Sequence, residues 1–173
     1  MPKYTNGIKL RKKMKKTIAN CLFCTGLFFA SSSLLAQGDA KMVLINEAKK
    51  EAGEVMPQEL KKMFDDEKSV IILDVRESEQ RAEGYLHDDF ISVNTISITR
   101  GNLEFEVLNK ITDKDAVIVT YCRNGGRGAL AAQTLKKLGY KNAKNLKGGI
   151  QDWAKAGYSV KTGLGITKLT TKE

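Results

Sequence analysis

With 173 residues, 42% of them apolar, the chain suits a single globular domain. Its formal charge of +9 points first to an anionic polymer, but seven Lys or Arg and no acid fall within residues 1–36. The remaining 22 basic residues stand against 20 acidic ones, with no basic stripe interleaved with aromatics, which argues against nucleic-acid binding.

In chain order, the basic cluster Lys3 to Lys16 precedes an apolar run from Thr17 to Ala36 that includes Leu22, Phe23, Leu27, Phe28 and Phe29. Positive region, apolar stretch and small residues form the layout of a secretory signal peptide, so residues 1–36 are expected to direct export to a bacterial periplasm. The alternative is an uncleaved membrane anchor over residues 17–36, the one membrane contact the sequence suggests. Met14 is an alternative start within the basic cluster. Cys21 and Cys24 have the spacing of a dithiol pair, but they sit inside this segment with no strand before them. From residue 37 onward Cys122 is then the single cysteine, which leaves no partner for an internal disulfide.

Residues 37–53 read as a lead-in helix or tether, followed by a domain over residues 54–165 and a flexible tail over 166–173. Pro57 suits the first position of a helix through Phe64. Val70 to Val75 is a continuous apolar run that closes on Asp74 and Val75, as in a parallel strand buried on both faces. A short polar helix through Glu83 is expected to end on Gly84. The alternation from Phe90 to Ile98 predicts another strand, and Asn102 to Ile111 a short helix. Val117 to Cys122 predicts a buried strand, and Ala129 to Leu138 a helix closed by Gly139. Lys144-Asn145-Leu146, a helix bearing Trp153, and a last strand over Tyr158 to Val160 complete the pattern. Strands alternating with helices predict a three-layer α/β/α sandwich around a mostly parallel sheet of about five strands.

The chemistry concentrates at Cys122-Arg123-Asn124-Gly125-Gly126-Arg127. This run sets a thiol at the carboxyl end of a strand, where α/β sheets bind ligands. A glycine-rich turn follows, just before a helix. Backbone N–H groups in such a turn form an anion nest that favours thiolate over thiol.

These features make the chain resemble the rhodanese-like domain family of single-domain sulfurtransferases. The resemblance runs over about residues 54–162, through Leu73-Asp74-Val75-Arg76-Glu77, Gly84, Arg100-Gly101-Asn102-Leu103-Glu104-Phe105, the Cys122 loop, and Leu146-Lys147-Gly148-Gly149 with Trp153 and Gly157. It implies that the Cys122 thiolate takes the outer sulfur of an anionic donor such as thiosulfate. A thiol, cyanide or protein acceptor then removes that sulfur from the persulfide. It implies no metal and no organic cofactor. Arg127 is assigned to donor binding and thiolate stabilisation, and the N–H groups of residues 123–127, including Asn124, to holding the anions. Arg123 either recruits the donor or is solvated. Gly125 and Gly126 are expected to supply positive φ and close approach. Asp74 and Arg76 are expected to brace the loop, and Trp153 to sit in the core.

Three departures stand out. Gly84-Tyr85-Leu86 replaces the family's Gly-His-Ile, which moves the one histidine to His87, expected in a surface loop. The stretch from Asp88 to Asn94 is longer than usual, and Gly128 stands where serine is common. Two other functions fit parts of the pattern. A cysteine phosphatase of related fold needs five residues between Cys and Arg, whereas four separate Cys122 from Arg127. A persulfide carrier or binding module would keep Cys122 and Arg127 but turn over little small-molecule substrate.

Overall fold

The computed structural model describes residues 40–168. The signal-like segment, Met14, Cys21 and Cys24 lie outside the described residues. Among the described residues no helix is long and apolar enough to cross a membrane.

Helix α1 occupies residues 40–52 of the lead-in segment. The elements that follow are β1 (Glu54–Val55), α2 (Pro57–Asp65), β2 (Ile71–Asp74), α3 (Ser78–Arg81), β3 (Tyr85–Leu86) and β4 (Thr95–Ser97). A 3-10 turn (Arg100–Asn102) leads into α4 (Leu103–Lys110), then β5 (Ile118–Tyr121), α5 (Gly126–Lys137), β6 (Ala143–Leu146), α6 (Gly149–Lys155), β7 (Val160–Thr162) and β8 (Gly165–Thr167). Five strands form one sheet in the order β1-β6-β5-β2-β4, and every pairing in it is parallel. The predicted α/β sandwich is therefore the observed architecture.

Alternation along the strands sends side chains to two cores. Leu73, Ile118 and Cys122 pack with Leu103 and Val107 of α4 and Ala131 and Leu135 of α5. Ile72, Val119 and Tyr121 pack on the opposite face with Leu60 and Phe64 of α2 and Ile150 and Trp153 of α6. Trp153 is fully buried, as expected. Its ring meets Phe64 edge-on at 5.9 Å, and its indole N–H donates to the Ser159 carbonyl at 2.9 Å.

Several element boundaries differ from expectation. The strand predicted over Phe90 to Ile98 shortens to Thr95–Ser97. The buried Asp88 carboxylate accepts from the N–H groups of Phe90 and Ile91 at 2.9 and 3.2 Å, which turns the chain away from extended pairing. Helix α5 begins at Gly126, three residues before the predicted start. The last strand falls at Val160–Thr162 and belongs to a second, antiparallel sheet, β3-β7-β8. Its third member carries pairing to Thr167, past the residue at which a flexible tail was expected to begin.

Gly84 does not cap the polar helix in the left-handed conformation of a helix stop; its φ is +123°. A Cβ there would lie 2.5 Å from Val160 Cγ1, so the glycine lets β3 approach β7.

Replacing the buried Trp153 by alanine should cost about 3–5 kcal/mol, the range for deleting a large aromatic from a packed core. Urea denaturation followed by circular dichroism would measure it.

Candidate active site

The site forms where β2 and β5 lie side by side. The chain leaves β2 towards β4 and leaves β5 towards β6, in opposite directions across the sheet. A crevice opens at the carboxyl ends of strands at such a switch point. Asp74 ends β2 and Cys122 directly follows β5, so the structure brings both predicted residues to this edge.

Asp74 and Arg76 are fully buried and form a bidentate pair, with Arg76 Nε and Nη2 donating to the carboxylate at 2.9 and 2.7 Å. The Tyr121 hydroxyl donates to Asp74 Oδ2 at 2.8 Å, which ties β2 to β5 through side chains. Arg76 also donates to the carbonyls of Gln80 and Gly84 at 3.1 and 2.7 Å, which fixes the chain on either side of α3's end. Burial works against charge on Arg76, but the Asp74 carboxylate outweighs it and holds the guanidinium above the usual arginine range. Burial, reinforced by the same carboxylate, raises the Tyr121 hydroxyl far above its ordinary range and keeps it a donor.

The Cys122 loop is held from the other side by α6. The N–H groups of Ile150 and Gln151 donate to the carbonyls of Cys122 and Arg123 at 2.9 and 3.1 Å. This contact depends on Gly149, where a Cβ would stand 2.3 Å from the Cys122 carbonyl oxygen. The sequence leads one to expect Gly148-Gly149 to turn the chain into the helix bearing Trp153, and both take positive φ there, +68° and +62°; Gly149 adds the close approach.

Within the loop, Gly125 has φ +86° and caps α5 in the left-handed conformation. Gly126 does not: it has an ordinary helical backbone, so positive φ is not what requires glycine there. Among the described residues, the six backbone N–H groups from Arg123 to Gly128 donate to no acceptor. Free donors at the start of a twelve-residue helix make a cradle for an anion.

Cys122 is fully buried among Val75, Ile98 and Leu103, with its Sγ 3.9 Å from the Asn124 Oδ1. Asn124 itself is exposed. Arg127 lies on the first turn of α5, where its Nη2 donates to the Gln80 side chain, and no carboxylate among the described residues lies within salt-bridge distance of it. Arg123 is engaged differently: it is exposed and ion-paired to Glu83. Gln80 and Glu83 carried no local signal in the sequence, since each meets its partner across at least 40 residues.

Gly128 has a steric explanation. A Cβ there would lie 2.3 Å from the Asn145 Oδ1, so Asn145 of β6 takes the space that a serine would need. His87 is half-buried, its backbone N–H donates to the Ser159 carbonyl at 3.1 Å, and it borders a small cavity with Lys61 and Asp88. A larger cavity, about 410 Å³, opens between α6 and the β7–β8 hairpin on the face away from the Cys122 side chain. Among the described residues no cluster of His, Cys, Asp or Glu could hold a metal ion.

A model described as the rhodanese-like domain matches residues 56–156. A "Sulfurtransferase" of Allochromatium vinosum is 29% identical over 108 residues, 62% of this chain and 92% of its own length. A Bacillus subtilis protein, "Putative sulfur carrier protein YrkF", is 30% identical over 100 residues, 58% of this chain. That match takes in only half of the relative's own length. A solved structure from Rhodopseudomonas palustris, of a protein of unknown function described as "Possible Tyrosine Phosphatase", is 25% identical with a TM-score of 0.61. It covers 69% of this chain and 92% of that one.

Two pairs of substitutions test the geometry. Arg76→Met leaves a buried carboxylate unpaired and should cost about 3–5 kcal/mol, whereas Asp74→Leu with Arg76→Met should cost less than the single change. Gly128→Ser should cost about 1–3 kcal/mol by overpacking, and Asn145→Ala in the same chain should relieve part of that loss. Chemical denaturation of each variant gives both answers.

Proposed function

The chain belongs to the rhodanese-like domain family, and we propose that it is a sulfurtransferase working through a persulfide on Cys122. The observation that carries this reading is the loop itself. A single thiol stands at the head of six unengaged backbone donors, beside an arginine with no carboxylate partner among the described residues. That arrangement suits a sulfur nucleophile whose charge persists before and after the reaction, without a neighbouring base.

In the first step the Cys122 thiolate attacks the outer sulfur of thiosulfate. A new sulfur–sulfur bond forms, the donor's own sulfur–sulfur bond breaks, and sulfite leaves with the electron pair. The product is a Cys122 persulfide anion. In the second step a thiolate or cyanide attacks the terminal sulfur, and the Cys122 thiolate departs. Charge on the protein sulfur is conserved across both steps, so fixed N–H donors serve throughout. Arg127 meets the anionic end of the donor, and Asp74, Arg76 and Tyr121 keep the loop's supporting strands in place. Burial of Cys122 favours a narrow donor whose terminal sulfur can reach inward. In this proposal residues 1–36 export the domain.

The name of the Bacillus subtilis relative favours a second reading, a carrier that hands sulfur to a partner protein. Phosphatase chemistry finds support in the description of the Rhodopseudomonas palustris structure. Against it stands the spacing of four residues between Cys122 and Arg127.

Intact mass of the purified protein should rise by one sulfur atom after thiosulfate, and Cys122→Ser should stay unchanged while keeping its fold. Sulfur gain without turnover to cyanide or small thiols would favour the carrier. No gain, with Cys122-dependent hydrolysis of an aryl phosphate, would replace sulfur transfer by phosphatase activity. Arg127→Ala should raise the KM for thiosulfate about tenfold or more, the loss expected for a hydrogen bond to a charged group.

A further inference from the structure

Helix α1 lies outside the residues that match the family, yet it reaches the loop that carries Cys122. Its own Ala48 and Ala52 are buried. The Glu51 carboxylate accepts from Gln133 Nε2 at 2.6 Å, and its carbonyl accepts from Lys136 Nζ at 3.2 Å, which fastens the helix along α5. Nearer its start, half-buried Ile45 comes up against Gly126. A Cβ on Gly126 would lie 3.3 Å from Ile45 Cδ1 and 3.8 Å from Asn124 Oδ1, the oxygen that sits 3.9 Å from the Cys122 sulfur. The two side chains therefore border the same small space beside the Gly126 backbone.

The connection into β1 touches the loop's underside as well. Glu54 accepts from Asn145 Nδ2 at 2.9 Å, and that nitrogen is 3.5 Å from where a Gly125 Cβ would be. Gly126 has no conformational reason to be glycine, because its φ is ordinary, and alanine is the better helix former. The atom a side chain there would crowd first is Ile45 Cδ1, which would have to give way by a few tenths of an ångström.

We infer that Ile45 is a positioning residue, which holds Asn124 against the Cys122 thiol across Gly126, so that α1 forms part of the active site. The inference rests on Cys122 being the reactive thiol of the proposed sulfur transfer. Its physical content is steric: a branched side chain fills the gap behind the loop and limits how far Asn124 can swing away from the sulfur.

A double-mutant cycle in the full chain tests this, using wild type, Ile45→Ala, Gly126→Ala and the pair. The primary readout is the rate of Cys122 alkylation by iodoacetamide at fixed pH, with thermal melts run alongside. Ile45→Ala should speed alkylation at least about twofold and lower kcat for thiosulfate more than it changes KM, while Ile45→Val should restore wild-type behaviour. Gly126→Ala alone crowds Ile45, and adding Ile45→Ala makes room for the new methyl group. The two changes should therefore be non-additive by about twofold or more, as for residues in contact. Rates that simply multiply, with alkylation of Ile45→Ala equal to wild type, would overturn the inference. Sulfur uptake from thiosulfate is scored separately: if wild type takes up none, the sulfur-transfer reading fails while the alkylation cycle still decides the role of Ile45.

Discussion

The buried ion pair between Asp74 and Arg76 sets the geometry on which the rest of this edge of the molecule depends. Charges taken out of water contribute little net stability unless every donor and acceptor is matched, and here they are matched by Tyr121 and by two carbonyls. The consequence is positional. Tyr121 joins the end of β2 to the end of β5, one residue before the thiol. The Gln80 carbonyl, held by Arg76, places α3 so that the Gln80 side chain meets Arg127. A contact made in the core therefore decides where a cation stands at the rim.

Around that brace, glycines act for different physical reasons. Gly125 supplies a left-handed φ that turns the loop into α5. Gly149 lets the first turn of α6 press on the Cys122 carbonyl, and Gly128 yields space to Asn145 from a neighbouring strand. The result is a loop whose N–H groups meet no acceptor among the described residues. Unengaged donors are costly where water cannot reach them, and an anion seated in the loop would offset that cost. The structure thus keeps a binding capacity in reserve on its backbone, while the Cys122 side chain is covered.

The two faces of the sheet differ in what they offer. The face covered by α4 and α5 receives the thiol, and α1 packs along α5. The face covered by α2 and α6 holds Trp153, and the cavity beside the small antiparallel sheet opens next to α6. Alternation along β5 makes this division: Tyr121 and Cys122 are neighbours in sequence and point to opposite cores. One serves the brace and the other opens the glycine-rich loop.

Much of this was legible in the amino-acid sequence, because some signals are local. The buried strands around Leu73 and Val119 are continuous apolar runs closed by Asp74 and Cys122, and such runs need both faces covered. Cys122, Arg127 and the glycines between them lie within six residues, so their association follows from the chain itself. Other features belong to packing alone. Gly126 and Gly128 weaken the helical signal, so the early start of α5 shows only once the cap at Gly125 is formed. Strands of two or three residues, as in β3, β7 and β8, are too short to show a period. The contacts of Gln80, Glu83, Asn145 and Ile45 each span tens of residues, and the residue types alone name no partner. Sequence by itself determined the sheet and the cysteine-headed, glycine-rich loop at the end of β5, since those rest on local pattern. Which side chains surround that loop was decided by tertiary structure, since only folding brings distant surfaces within van der Waals reach.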